Sequence, residues 1–580
     1  MAVTRVWAPF ARTVMMIVGG KHYPMSDEGL GWWILDSPQA GHGVDYAFVL
    51  DGSEPLPDPR SPWQPYGVHG FSRMLDHSLF AWTDARWQPP PLSSAVIYEL
   101  HTGTFSPSGT FLGVAEKLDY LVDLGITHIE LMPVNSFPGR RGWGYDGVDI
   151  NAPHEPYGGP VQLKRLVDAC HEKGLAVILD VVYNHLGPEG NYLGRFGPYF
   201  TDRYSSAWGS AVNFDGPGSD EVRRFFIDNA IMWMRDYHVD ALRLDAVQGI
   251  IDTSAVHFLE QLSGEVGKLR AQLGRNLSLI AESNLNDPRI IEPREAGGYG
   301  MDAQWSDDLH HALHTVLTGE SNGYYEDFGT LSDLAQALQE IFVYSGRYSA
   351  FRGRRHGRPV RNVSGHKFLA YLQNHDQIGN RARGERASHL MNASRVMIGS
   401  AIVFTSVCIP LIFQGEEWAA SSPFQYFTDH QDQELARAVA AGRKNEFAAF
   451  GWAPQDIPDP QAAATFERSR LDWSEVGNHP HSSIHAWYKS LIRLRRELPE
   501  LKDGDPGKVL ISHNDEEQWM VVSRGSVMVA CNFSHQEREI GLYEGRRREV
   551  LLASHSGVAH RDGSLVMPAE SVAVLFLHRG

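Results

Sequence analysis

Asp180, Asp245, Glu282 and Asp376 each close a short apolar run: AVILDVVYNH at 176–185, ALRLDA at 241–246, LSLIAES at 277–283 and LAYLQNHD at 369–376. A carboxylate at the end of such a run is costly to bury unless something pairs with it or uses it. Acetal cleavage needs a nucleophile or base on one side and a proton donor on the other, and two carboxyl groups in different environments supply both. Arg243 lies two residues before Asp245, so on a strand both side chains face the same way. A nearby guanidinium favours the ionised carboxylate that a nucleophile requires. Glu282 follows LSLIA at a different strand end, where partial burial and neighbouring negative charge raise its pKa and suit it to act as the acid. Asp376 adds a further negative charge and is suited to gripping hydroxyl groups. His185 and His375 can donate hydrogen bonds to the same hydroxyls, and Tyr145, within WGYDG at 143–147, is placed to stack on a sugar ring.

Taken singly, each of these has a plainer reading. An Arg-x-Asp pair on a strand is more often a structural ion pair, and Asp180 could simply tie down the loop that follows it. The set gains weight because order, strand position and chemistry agree. If the strands form a parallel barrel, all their carboxyl ends point to one face, where an active site is built.

The elements needed to position them are legible. Strand-like runs alternate with helix-like ones from Ala95 onward, at Ala95–Leu100, His128–Pro133, Ala176–Val181, Ala241–Leu244, Leu277–Ala281, Ala303–Trp305, Leu369–Leu372 and Ile409–Phe413. Alternation implies a parallel sheet, and eight strands is the count of the (β/α)8 TIM barrel, an α/β fold. Two connections are long: Tyr183 to about Asp220 after the third strand, and Gly319 to Lys367 after the sixth. Such loops on the carboxyl side shape substrate clefts. A helix at Ile484–Leu498 closes the barrel. Before it, turn-rich alternating segments such as Arg5–Pro9 and Asp45–Asp51 predict an N-terminal β-sandwich over 1–88. Beyond it, runs at Lys508–His513, Gln518–Ser523 and Val527–Phe533 predict a C-terminal β-sandwich over 501–580, which leaves 89–500 for the barrel.

With 52 basic and 70 acidic residues the net charge is −18, and no basic stripe offsets it. Nucleic acid is therefore excluded as a partner, whereas a neutral, hydroxyl-rich substrate is indifferent to that charge. Cys170, Cys408 and Cys531 match no metal or redox spacing, and the start MAVTRVWAPF lacks the pattern of a secretory leader. Both point to a reducing, cytoplasmic setting. Val396–Gly415 carries no charge and is long enough to cross a bilayer. Its Gly, Ser, Thr and Pro residues favour a buried helix followed by a buried strand, with no membrane association.

The segments DVVYNH, LRLDA, IAES and QNHD resemble the four signature regions of the α-amylase family of retaining glycoside hydrolases and transglycosylases, and VWAPFARTV is similar to the opening of the β-sandwich in its branching and debranching members. The resemblance covers essentially the whole chain. It implies that Asp245 is the nucleophile, Glu282 the general acid/base and Asp376 the third acid, with Arg243, His185, His375 and Tyr145 around the sugar being cleaved. Within that family, WSDDLHHALHTVLTGESNGYY (305–325), SPFQYFTDH (422–430) and GRKNEF (442–447) look like the maltooligosyltrehalose trehalohydrolase branch. That branch hydrolyses the α-1,4 bond next to a terminal trehalose and releases trehalose and a shortened maltooligosaccharide. Trp208, Tyr325, Phe351 and Arg352 resemble its contacts beyond the cut.

The resemblance implies no catalytic metal and no cofactor. Asp307, Asp308, His310 and His311 look like a metal cluster, but hydroxyl or salt-bridge partners fit the family better. Amylases often hold calcium through an asparagine like Asn184, although the remaining ligands have no match here. The family's sandwich usually has one more strand before RVWAP, for which Met1 leaves almost no room, so an exposed sheet edge is expected there. The implied partners are maltooligosyltrehalose and related α-glucans, with functional coupling to an enzyme that makes the trehalose-capped substrate. A 1,4-α-glucan branching enzyme with the same acids is the nearest alternative. An inactive amylase-like binding protein fits poorly, because all three acids are present.

Overall fold

The computed structural model describes residues 2–37, 40–206, 209–448, 456–541, 548–561 and 563–578. At its centre eight parallel strands close into a barrel in sequential order: β1 (Ile97–Leu100), β2 (His128–Leu131), β3 (Ala176–Val181), β4 (Ala241–Leu244), β5 (Ser278–Ala281), β6 (Ala303–Trp305), β7 (Phe368–Tyr371) and β8 (Ile409–Phe413). Four of these have the bounds the apolar runs predict. The other four shift by one or two residues, where strand ends turn into loops.

Alternation along each strand divides two cores. Val177, Leu179 and Val181 of β3 face the surrounding helices, as do Leu242 and Leu244 of β4 and Leu279 and Ala281 of β5. Ile178, Ala241 and Ile280 face the barrel axis with Ile97, Trp305, Leu369 and Ile409. Each of these larger side chains contributes about 1.5–3 kcal/mol by leaving water. Counting two residues onward along the inward face reaches Asp180, Arg243 and Glu282. The apolar interior is therefore capped, toward the carboxyl ends, by a charged tier. Asp180 lies level with Arg243, and Glu282 stands two residues further along, since Arg243 pairs with Ile280.

The connection after β3 carries a hairpin, Phe200–Ser206 with Gly209–Val212. The connection after β6 carries a helix (Leu331–Glu340) and a second hairpin, Ser345–Ser349 with Arg354–Gly357. The uncharged stretch at 396–415 is the end of the helix Ala393–Thr405 followed by β8, and the closing helix runs from His481 to Glu497. No helix among the described residues is long and apolar enough to cross a membrane. Ahead of the barrel lie a three-stranded and a four-stranded antiparallel sheet, and Ala2–Trp7 is an edge strand of the first. Behind it lie a five-stranded and a three-stranded sheet.

Candidate active site

Arg243 is the hub. Its side chain is fully buried, with the guanidinium 4.4 Å from the centre of the Trp305 ring. Nη1 donates to Asp180 Oδ2 at 2.7 Å and to Asp245 Oδ1 at 3.0 Å, while Nη2 lies 3.0 Å from Glu282 Oε2. One cation thus addresses three carboxyl groups from three neighbouring strand ends. Breaking such a buried set by removing one member is costly, because it strands the others.

The turn after β4 finishes the arrangement. Ala246 adopts a left-handed conformation (φ 39°, ψ 53°), which strains a non-glycine residue by about 1–2 kcal/mol. Its N–H donates to Glu282 Oε2 at 2.7 Å. Asn184 holds Asp245 from the other side: its amide nitrogen donates to Asp245 Oδ2 at 2.6 Å and to the Asp245 carbonyl at 2.9 Å. Asn184 Oδ1, the atom that a calcium ion would need, faces His185 Nδ1 at 2.6 Å. Among the described residues, no group of three or more His, Cys, Asp or Glu side chains is arranged to hold a metal ion.

The carboxyl groups differ in their proton affinity. Burial, aided by Asp245 and Asp376 and opposed by Arg243, pushes Glu282 up to about 8. Burial likewise pushes Asp180 up to about 6, with Arg243 opposing. Glu282 is consequently protonated at neutral pH while Asp180 is largely ionised. Tyr145 Oη donates to Asp180 Oδ2 at 2.6 Å and lies 2.7 Å from His375 Nε2. His185 sits between the Asn184 side-chain oxygen (2.6 Å) and the Tyr145 carbonyl (3.0 Å).

Above this tier lies a cavity of about 550 Å³ whose walls include Tyr145, His185, Asp245, Glu282 and Asp376. Asp376, on the short helix His375–Gly379, keeps 37% of its side chain accessible. Arg243, His375 and Asp180 support these residues from beneath. The opposite wall comes from Trp143, Tyr426 and the helix Gln433–Ala448, through Val439, Gly442 and Arg443. Trp143 fits only because position 379 is glycine, where a Cβ would stand 1.9 Å from its ring.

Tyr325, Phe351 and Arg352 do not line this cavity. Tyr325 is buried, stacked on His314 and bonded through its hydroxyl to His310 Nε2 at 3.0 Å. It is not on the cavity wall; its ring packs the base of the connection after β6. Phe351 and Arg352 ride on the hairpin of that connection, fixed by Asp327, which accepts from the Ser349 hydroxyl (2.5 Å) and the Ala350 N–H (2.8 Å). Phe351 is exposed. Trp208 lies outside the described residues. Asp307, Asp308 and His310 are spent on hydrogen bonds: Asp307 with Tyr371 Oη at 2.6 Å, His310 with the Leu372 carbonyl at 2.8 Å, and Asp308 with the N–H groups of Val343 and Tyr344 at 2.7 and 2.8 Å, while His311 packs against the rings of Tyr324, Tyr325 and Phe328.

Three comparisons bear on this geometry. The family described as the alpha amylase catalytic domain matches residues 80–204, and a domain of unknown function, DUF3459, matches residues 507–574. A malto-oligosyltrehalose trehalohydrolase of Rhizobium sp. (strain M-11) is 47% identical over 98% of this chain and 97% of its own. The chain belongs to the malto-oligosyltrehalose trehalohydrolase family. A solved structure described as a putative alpha amylase from Salmonella typhimurium superimposes on this family member with a TM-score of 0.91 at 36% identity, covering 100% of this chain and 97% of that one. A 1,4-alpha-glucan branching enzyme of Vibrio parahaemolyticus is similar at 31% identity over 59% of this chain and 51% of its own. The trehalohydrolase match is thus both closer and fuller than the branching-enzyme match.

Sequence reasoning considered Asn184 only as a calcium ligand, not as the partner of Asp245, and missed Arg443 and Glu99. Asn184 stands beside His185 in YNH and gives no signal of its own. Arg443 falls in GRKNEF, which carries the family likeness but no periodic or chemical cue. Glu99 sits inside the apolar run IYEL and not at its end, so the cue that marks Asp180 in AVILD passes over it.

Proposed function

We propose that this chain hydrolyses the α-1,4-glucosidic bond next to the terminal trehalose of maltooligosyltrehalose, with retention, and releases trehalose and a maltooligosaccharide. The observation that carries the chemistry is the division of labour around Arg243. Asp245, paired with the guanidinium and with Asn184, serves as nucleophile. Glu282, protonated near neutrality, serves as acid. In the first step Glu282 gives its proton to the glycosidic oxygen as Asp245 attacks the anomeric carbon; the C–O bond breaks and trehalose leaves with that proton. In the second step the Glu282 carboxylate takes a proton from water, whose oxygen displaces Asp245 and restores both groups. Asp376 is assigned to the hydroxyls of the sugar being cleaved, with His185, and Tyr145 to its ring, while His375, expected from the resemblance to reach the same hydroxyls, supports Tyr145 from beneath.

Specificity for the trehalose end is supported by the full-length match to the Rhizobium enzyme. Exposed Phe351 and half-buried Arg352, on the connection after β6, and Trp208 are retained as contacts beyond the cut; buried Tyr325 supports that connection. The substrate has to be supplied by an enzyme that forms the α,α-1,1 link at the end of a maltooligosaccharide. A cytoplasmic location is supported by three cysteines that are all free and buried. Product analysis tests the whole reading. Maltotetraosyltrehalose should yield free trehalose, and maltohexaose should be attacked poorly. Equal shortening of both would make the chain a general amylase, and new α-1,6 links would make it a branching enzyme.

A further inference from the structure

Below the reacting carboxyl groups lies a second pair of acids that the steps above leave unused. Glu99 of β1 and Glu130 of β2 are paired in register, and each is 1% exposed. Their situations differ. Among the described residues neither oxygen of Glu130 has a hydrogen-bond partner, and burial beside Glu99 holds it well above the carboxylate range, so it is a neutral acid. Glu99 instead grips His375 twice: Oε2 accepts the backbone N–H at 3.1 Å, and Oε1 makes a very short contact with ring Nδ1.

Proton bookkeeping fixes what that contact means. Asp180 Oδ2 accepts from Arg243 and, at 2.6 Å, faces Tyr145 Oη. The phenol has one proton, and the ionised carboxylate takes it. The phenol oxygen, 2.7 Å from His375 Nε2, must then be an acceptor, so Nε2 bears hydrogen. At Nδ1 the partner is Glu99 Oε1, close enough to share a single proton with the ring. With that proton on Nδ1, both ring nitrogens donate.

We propose that Glu99 is a positioning residue: it holds His375 as a doubly protonated imidazolium, and through that ring fixes Tyr145 and Asp180 beneath the sugar. The inference deepens the hydrolytic reading above and rests on it for its kinetic assay alone. Glu99 faces the ring from β1, Tyr145 from the segment after β2, and Asp376 from the same short helix, 3.5 Å from Nε2. Arg243 of β4 opposes the charge, while Asp180 of β3, neutral Glu130 of β2 and His101, which burial keeps neutral, complete the surroundings. Burial and Arg243 disfavour the cation, but Asp376 and Glu99 outweigh them and push the ring up to about 9.

In Glu99→Gln the amide keeps a hydrogen bond to Nδ1 while the charge is lost. The alkaline limb of kcat should move down by about one pH unit or more, with KM little changed, because the buried ring then deprotonates before Glu282 does. Glu99→Asp, which keeps the charge, should return the limb to its wild-type position even where kcat stays low. A limb that stays in place in Glu99→Gln, or that moves equally in Glu99→Asp, overturns the proposal. Nitrogen-15 spectra of histidine side chains in the unsubstituted protein decide it should either variant fail to fold. Among the 27 histidines, the His375 signals are those missing from His375→Gln. They should show two protonated ring nitrogens at about pH 7.5; a neutral ring there overturns the proposal. A wrong substrate assignment leaves these spectra unaffected and leaves the limb readable on whichever glucan is cleaved, so the two failures are separable.

Discussion

Two buried carboxylate clusters lie at strand ends of the same barrel, one under the cavity and one sealed beside β8. In the first, Arg243 touches Asp180, Asp245 and Glu282 directly. In the second, Glu416 and Glu417 follow β8 and are held by tyrosines: Tyr98 and Tyr120 donate to Glu417 Oε1, and Tyr488 to Glu416 Oε1, each at 2.9 Å. The nearby guanidinium of Arg386, fully buried, donates to the carbonyls of Ser422 and Gln414 at 2.6 and 2.7 Å. Burial raises the acids of both clusters, Glu282 and Glu416 to about 8 and Glu417 to about 7. A raised pKa therefore marks burial, and chemistry needs two things more: access to a cavity, and a cation that keeps one partner ionised while the other stays protonated.

The largest expected effect falls on the nucleophile. Asp245→Asn should lower kcat by at least about 10⁴-fold while the protein stays folded; a loss of less than tenfold in purified, folded variant would remove Asp245 from that role. Glu282→Gln should cost about 10²–10⁴-fold with a natural leaving group. It should also abolish the alkaline limb of the wild type. The acid works only when protonated, so wild-type activity falls as pH rises through about 8, the value to which burial pushes Glu282. A wild-type profile flat to pH 10 would show that some other group delivers the proton. Asn184→Ala frees Asp245 on one side without removing it, and misplacement of the attacking oxygen should cost about 10²-fold in kcat. An unchanged kcat would leave Arg243 as sufficient support by itself.

The difference between the clusters was only partly legible in the sequence. Acids that end an apolar run, such as Asp180 in AVILD and Glu282 in LSLIAES, stand out because the run predicts a strand and the acid breaks it. The same cue misses Glu99 and Glu130, which sit within IYEL and HIEL, and it cannot distinguish Glu282 from Glu417, which follows LIFQGE. Strand alternation supplied the rest of the barrel, because an inward face of period two survives any choice of loop. Access did not follow from it. Whether a strand end meets a cavity or a wall of tyrosines depends on distant segments: Tyr120 is 297 residues away from Glu417, and Arg443 approaches Asn380 from a helix 63 residues further on. Tyr325 shows the converse error, in which a loop residue matched by resemblance turns inward to pack on His310 and His314.

Glu417→Gln is the smallest of the substitutions in activity and the most direct test of the contrast. The amide reproduces the neutral acid in shape and keeps an oxygen for Tyr98 and Tyr120, and nothing in the sealed cluster reaches the substrate cavity. The kcat profile should superimpose on that of the wild type at every pH. Stability should not. The folded state raises the Glu417 pKa from 4.5 to about 7, so the folded protein holds that proton more tightly than the unfolded chain does. Stability from this source is fully present below the unfolded value and is lost as pH rises through the folded one. The wild type should therefore lose melting temperature as pH rises from about 4.5 to about 7, and the glutamine variant, which has no proton to lose there, should lose less. An equal decline in both proteins would mean that Glu417 does not titrate on unfolding in that range. An altered kcat profile would mean that the two clusters communicate, and the division between an open and a sealed set of acids would then fail.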